Sequence, residues 1–92
     1  MTDRELLELA AKAAGVHPSR IGENSVIRVN DLWVRAWNPL IDGADTLELE
    51  ITLNLTAIWE PMREGWSMGG LAFHEDRKRA TTLAAAEIGK LP

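Results

Sequence analysis

The chain has 92 residues, of which 46% are hydrophobic and 26% are charged, and its formal net charge at pH 7 is −4. This length excludes a second independent core, and the composition is typical of a globular domain. The charge argues against direct nucleic-acid binding, and the absence of cysteine excludes disulfides and cysteine-based zinc sites. We expect one domain over residues 1–92, for which a homo-oligomer with a shared core is one route to stability.

The start of the chain and its hydropathy both bear on location. The sequence Met1-Thr2-Asp3-Arg4-Glu5 lacks the basic and then apolar stretches of a secretory leader. No apolar run is long enough to span a bilayer. We therefore expect a cytoplasmic protein without membrane association.

The first predicted element is a helix over about residues 3–14. Thr2 and Glu5 have the spacing of a capping box, and Gly15 and Pro18 follow the last periodic residue as helix-ending signals. The apolar positions repeat at helical intervals: Leu6, Leu9, Ala10 and Ala13. Because this face is rich in alanine, we expect the helix to pack closely against the core.

Residues 26–29 and 32–37 predict a β-hairpin. Both segments are rich in β-branched and aromatic residues, and the intervening Asn30-Asp31 tolerates the positive φ angles of a tight turn. Alternation in the second strand places Trp33, Arg35 and Trp37 on one face. This face therefore combines aromatic and cationic side chains.

Residues 38–55 carry two conflicting patterns. Asn38-Pro39 ends the preceding strand, and Asp42-Gly43 indicates a turn. From Leu47 to Ala57 apolar residues alternate strictly, which favours a strand. The spacing of Asp45 and Glu48 is instead typical of a helix N-terminus. The residues alone leave strand and helix open for 45–53.

The remainder of the chain predicts a second hairpin and a closing helix. Residues 56–59 and 66–73 are the candidate strands, within which Gly69-Gly70 indicates a bulge or a close backbone approach. The last helix begins near Glu75 and Asp76, and Gly89 and Pro92 end it. Its apolar stripe comprises Ala80, Leu83, Ala84 and Ile88.

Three stretches resemble the phage ABA sandwich domain, a family of small α+β accessory proteins. They are residues 4–15, the segment 37–49 with Trp37-Asn38-Pro39-Leu40, Asp42, Asp45, Leu47 and Leu49, and residues 84–89, covering about half of the chain. The resemblance implies an antiparallel sheet flanked by helices, and on that basis we predict a helix near residues 45–53. The run Ile51-Thr52-Leu53-Asn54 departs from the family pattern. The family supplies no catalytic residues.

The four tryptophans are the first candidates for a binding surface, because indole rings both fill cores and stack on planar ligands. Trp33, Trp37 and Trp66 are predicted to face a ligand or partner. Arg35 would pair with phosphate, and Asn38 offers a donor and an acceptor. The alternative assigns Trp59 and one hairpin tryptophan to the core and the others to subunit contacts.

Charged residues supply the remaining candidates for partner binding. Negative charge is concentrated in Asp42, Asp45, Glu48 and Glu50, which is compatible with a metal site, a general acid or a surface that imitates nucleic-acid phosphates. The simpler explanation, which we favour, is that Asp42 forms a turn and Asp45 caps a helix. His74 lies beside carboxylates near the last helix, where it could act as a base. Arg77, in a basic run at the start of that helix, is either solvated or part of an anion-binding edge.

These observations predict an α+β fold, a short antiparallel β-sheet packed with two or three α-helices. Because no nucleophile–base order, phosphate loop or metal-ligand spacing occurs, we expect no catalytic activity, no metal and no cofactor. The principal hypothesis is a phage accessory protein that binds and modulates or inhibits a protein of the bacterial host, including a defence protein. The alternatives are a sponge for a nucleotide-type signalling molecule in a Trp/Arg pocket and a structural or assembly protein.

Overall fold

The computed structural model describes residues 1–91. Within these residues it has three helices, α1 (Asp3–Ala14), α2 (Gly43–Thr52) and α3 (Arg77–Gly89). A two-stranded sheet contains β1 (Val26–Val29) and β2 (Leu32–Arg35), and a three-stranded sheet contains β3 (Ala57–Glu60), β4 (Gly65–Met68) and β5 (Ala72–His74). Both sheets are antiparallel, which confirms the predicted α+β class. No described helix is both long and apolar enough to cross a membrane.

Helix α1 has the predicted boundaries because its capping signals act locally. The Thr2 hydroxyl accepts a hydrogen bond from the Glu5 N–H at 3.1 Å, which satisfies one of the free donors at the helix start. Gly15 has a φ of 75° and ends the helix in the left-handed conformation. Both signals operate within one turn of the helix, so the sequence alone is sufficient to predict them.

Helices α1 and α3 pack against each other through small residues. Ala10 and Ala11 of α1 and Ala85 of α3 are fully buried. Gly89 ends α3 as predicted, but its φ is not positive, and a methyl group there would overlap the Leu9 carbonyl oxygen. The glycine is therefore needed for close approach of the two helices.

The first hairpin forms as predicted but ends two residues earlier. Asn30 and Asp31 have φ angles of 51° and 64°, and Val29 pairs with Leu32 across this two-residue loop. Strand β2 ends at Arg35, and Trp37 forms a parallel bridge with Ile21. Trp37 is thereby directed into the core, where it is only 3% exposed.

Residues 43–52 form a helix, which confirms the helical prediction over the alternating pattern. Asp42 caps α2 by accepting the N–H groups of Ala44 and Asp45. The buried face of α2 contains Asp45, Thr46, Leu49 and Glu50, at helical spacing. Its apolar Leu47 and Ile51 are exposed.

The three-stranded sheet is a meander in the order β3-β4-β5. Gly69 and Gly70 have φ angles of 55° and 73° and lie in the turn that joins β4 to β5, so the predicted bulge or close approach is replaced by a chain reversal. Helix α3 covers one end of this sheet, where Met68 is fully buried against Ala80 and Ala84. The other end of the same sheet face is less covered.

Candidate functional site

The structure distributes the predicted binding residues over separate regions. Arg35, Asn38, Asp42 and Asp45 lie together between β2 and the start of α2, and we call them the acid–arginine cluster. Trp66, His74 and Arg77 meet at the less covered end of the three-stranded sheet. Trp37 is in the core, and Trp33 is exposed on the first hairpin.

Arg35 joins two carboxylates in the acid–arginine cluster. Its Nη2 lies 3.0 Å from Asp42 Oδ2 and 3.1 Å from Asp45 Oδ1. Asp45 is fully buried, and its Oδ2 accepts the Asn38 N–H at 3.0 Å. The contact between Asp45 Oδ1 and Arg35 is an ion pair without the geometry of a hydrogen bond. Together these contacts hold the start of α2 against the end of β2.

The cluster stabilises its own charges. The negative charge of Asp45 is the largest cause that raises the pKa of Arg35, followed by the hydrogen bond that Arg35 donates to Asp42. The Ala44 N–H is the largest cause that lowers the pKa of Asp42, with further contributions from the Asp45 N–H and Arg35. These groups are paired with each other, and residues 1–91 contain no set of three or more His, Asp or Glu side chains arranged to hold a metal.

We expect the stability of the protein to fall on acidification partly through Asp42. Its pKa is lowered in the folded state, so its contribution is complete above the unfolded value of about 4 and is lost as the pH falls through the folded value. Asp42→Asn retains the capping acceptor but cannot titrate. Urea unfolding at pH 6 and pH 3 should show the wild type losing more stability than the variant. Equal losses would contradict this role.

Two cavities border the acid–arginine cluster. One of about 340 Å³ is lined by Arg35, Asn38 and Asp45 together with residues 22–25. The other, of about 270 Å³, is lined by Arg20, Arg35 and Trp37. Arg20 donates to the Arg35 carbonyl at 3.2 Å and has no ion pair among residues 1–91. This second cavity is therefore lined by a guanidinium that has no ion pair within the described residues, by the Trp37 indole and by the carboxylate-bearing Glu48.

The less covered end of the three-stranded sheet carries aromatic and cationic side chains. Trp59, Trp66 and His74 are opposite one another on β3, β4 and β5, so they share a face. The rings of Trp59 and Trp66 are in an edge-to-face arrangement with centroids 5.4 Å apart. The Arg77 guanidinium lies 4.9 Å from the Trp66 ring centroid. We call these four residues the aromatic face.

The position of Arg77 is fixed by a buried carboxylate of α2. Its Nη2 and Nε donate to the two oxygens of Glu50 at 2.6 and 3.1 Å. The Thr81 hydroxyl lies 3.0 Å from Glu50 Oε2, and Glu50 is only 7% exposed. Hydrogen bonding by Glu50 raises the pKa of Arg77. The guanidinium is thus fixed between α2 and the Trp66 ring.

The predicted basic run and His74 make contacts within the chain. The anion-binding edge had instead been predicted to meet an external phosphate. Arg79 pairs with Asp3 of α1 at 2.5 Å, whereas Arg77 pairs with Glu50. His74 Nδ1 accepts the Asp76 N–H at 2.9 Å, which fixes the turn before α3. The run therefore connects α3 to both other helices.

Sequence reasoning counted Glu50 only as part of an acidic cluster and missed its pairing with Arg77, and it left Trp59 out of the predicted binding residues. Glu50 carries no local signal, because its partners Arg77 and Thr81 are 27 and 31 residues away. Trp59 could have been placed beside Trp66 by pairing the two strands of the predicted second hairpin.

Comparison of the chain with protein-family models, with curated proteins and with solved structures gives no match. The assignment of a function therefore depends on the geometry described above.

Proposed function

We propose that the chain is a non-catalytic binding protein that recognises a protein partner through the aromatic face. The observation that carries this proposal is the exposure of Trp59 beside Trp66 and a fixed arginine. Tryptophan and arginine are the residue types that most often dominate the energy of protein interfaces. The proposal thus assigns Trp59, Trp66 and Arg77 to the centre of the contact.

The rigidity of the aromatic face supports this proposal. Arg77 is held by both oxygens of Glu50, so little side-chain entropy is lost when a partner covers it. Trp59 has only two side-chain torsions and already contacts Trp66. A surface that is fixed before binding loses less conformational entropy on association, so the free energy of binding is more favourable.

Exposed apolar residues beside Arg77 extend the surface. Leu47 lines a cavity of about 330 Å³ together with Arg77 and Glu50. Ile51 follows Leu47 by one helical turn on α2 and is 72% exposed. Apolar side chains around a tryptophan–arginine centre are a feature of partner-binding surfaces.

The resemblance to the phage ABA sandwich domain extends the proposal to a biological setting. In that setting the protein is a phage or prophage accessory protein of the bacterial cytosol. Its partner would be a host protein, including one that acts in defence, whose function it modulates or inhibits. This assignment follows from the resemblance and adds a partner class to the surface described above.

A second candidate function is sequestration of a nucleotide-type signal, and one cavity favours it. In the cavity lined by Arg20, Arg35 and Trp37, the Arg20 guanidinium has no ion pair within residues 1–91 and could pair with a phosphate. Its volume of about 270 Å³ is below the usual range for ligand sites, about 300–1,000 Å³. Trp37 is buried, so little of its ring is accessible for stacking on a base. The small volume of the cavity and the burial of Trp37 make sequestration the weaker proposal.

We expect Trp59→Ala to weaken capture of the partner about 30-fold, the effect of losing a hot-spot tryptophan worth about 2 kcal/mol. The measurement is capture of proteins from a bacterial host lysate on the immobilised chain, quantified by mass spectrometry. Trp59 is about half exposed, so the variant should fold, and circular dichroism checks this.

The matched control is Ile58→Ala. Ile58 is on the same strand with similar exposure, but it projects from the opposite face of the sheet. Capture by this variant should equal that by the wild type. Equal capture by Trp59→Ala and the wild type would contradict the proposal.

A further inference from the structure

The first hairpin exposes apolar side chains that no other described element covers. It forms a sheet of only two strands, and its main contact with the other described elements is with the short 3-10 turn at Pro18–Arg20. Leu32 and Trp33, both on β2, are 67% and 68% exposed. An isolated two-stranded hairpin is at best marginally stable in water. The hairpin therefore lacks a third strand.

The outer edge of β2 is available for that strand from Leu32 to Arg35, and beyond it residues 20–22 bond to Trp37. The Ala36 N–H donates to the Ser25 carbonyl at 3.0 Å, so these two residues form a hydrogen-bonded pair. Hydrogen-bonded and non-hydrogen-bonded pairs alternate along an antiparallel ladder. With the register of β1 and β2, the N–H and C=O of Trp33 and Arg35 consequently point away from β1. Strand β2 has no proline, bulge or lysine that would protect this edge.

We propose that two copies of the chain form a homodimer by antiparallel pairing of β2 with β2 about a twofold axis at Trp33. The axis is perpendicular to the sheet, so both hairpins keep the same faces. Trp33 of one copy then lies opposite Trp33 of the other, and its free N–H and C=O groups form two reciprocal hydrogen bonds. The result is a continuous four-stranded sheet.

This register places complementary side chains together. Leu32 of each copy lies opposite Val34 of the other, which joins two apolar faces into one. Asp31 of each copy lies opposite Arg35 of the other, so an acidic and a basic side chain face each other at both ends of the paired segment. The Arg35 carbonyl already accepts from Arg20, so the central bonds of the new ladder are those of Trp33.

Pairing through β1 is less favourable. A twofold axis at Arg28 would place two guanidinium groups directly opposite each other, which is destabilising. An axis at Ile27 would bring Glu23 of one copy opposite Asp31 of the other. Either arrangement would leave Leu32 and Trp33 exposed to water. Only pairing through β2 covers these two residues.

The dimer should be reversible. A stable interface typically buries about 800 Å² on each partner, and pairing of one four-residue strand buries less. We therefore expect association in the micromolar range, which makes the mean mass depend on concentration. This surface is distinct from the aromatic face, so dimerisation and partner binding are tested independently.

Sedimentation equilibrium of the full chain, from about 1 μM to about 500 μM, tests the dimer across the micromolar range of affinity. The wild-type mass should rise from 10.2 kDa towards twice that value. Trp33→Lys, which places two cations opposite each other, should remain at 10.2 kDa at all concentrations. The control Trp59→Lys should behave as the wild type. A monomeric wild type, or a Trp33→Lys variant that still dimerises, would overturn the proposal.

Cysteine cross-linking tests the register in a chain that has no native cysteine. In the proposed dimer the two Trp33 Cα atoms are about 5.5 Å apart, the spacing of a hydrogen-bonded pair and within disulfide range. Trp33→Cys should form a disulfide dimer under mild oxidation. Arg28→Cys should not, because the two β1 strands are the outer strands of the proposed four-stranded sheet and the two cysteines would be three strand spacings apart. Cross-linking through position 28 but not 33 would show that β1 is the paired edge.

Discussion

Gly89→Ala is expected to destabilise the protein by about 3 kcal/mol, even though the same change in an exposed helix adds about 1 kcal/mol of stability. The added methyl group would overlap the backbone of Leu9, which cannot move without separating α1 from α3. Several fully buried alanines depend on that close approach. Urea unfolding measures the change in the free energy of unfolding.

Gly43→Ala is the matched control for this prediction. Gly43 is also a helical glycine with an ordinary φ, but no atom lies within 4 Å of the position its methyl group would occupy. Its substitution should leave stability unchanged or slightly higher. If Gly89→Ala were as stable as the wild type, the two helices would not approach as closely as described.

Asp45→Ala should destabilise the protein by about 3 kcal/mol, because the substitution leaves a buried donor unpaired and removes half of an ion pair. The Asn38 N–H would lose its carboxylate acceptor. Arg35 would keep Asp42 and is half exposed, so its share of the loss is small. Thermal and urea unfolding should both report the decrease.

Two comparison variants test the cause of the predicted effect of Asp45→Ala. Asp45→Asn keeps an acceptor for the Asn38 N–H and should lose less stability than the alanine variant. Glu8→Ala removes an exposed ion pair with Arg4 and should change the free energy of unfolding by less than about 1 kcal/mol. An Asp45→Ala protein as stable as Glu8→Ala would show that the acid–arginine cluster does not fix α2.

Local signals account for what the sequence could predict of the fold. The capping residues of α1 and the Asn30-Asp31 turn act within a few residues, and both were predicted. Residues 43–52 were ambiguous because their alternation of apolar residues favours a strand. The helix is favoured by long-range pairing of Asp45 with Arg35 and of Glu50 with Arg77, which sequence periodicity does not contain.

The candidate site could be predicted only in part for a related reason. Alternation correctly placed Trp33 and Arg35 on one face of β2, but the strand ends before Trp37, and the bridge to Ile21 directs that indole into the core. Trp37 is thus the hairpin tryptophan that the core alternative anticipated, whereas Trp59 is half exposed. The contact between Trp66 and Arg77 joins separate elements and required the structure.

Native mass spectrometry of the chain purified from bacterial host cells tests the proposed protein-binding function most directly. We expect the chain to carry one host protein, and Trp59→Ala prepared in the same way to have lost it while Ile58→Ala retains it. An added mass of a few hundred daltons in place of a protein would contradict the proposal and favour the nucleotide-sequestering alternative. A chain recovered without any host protein would contradict it as well.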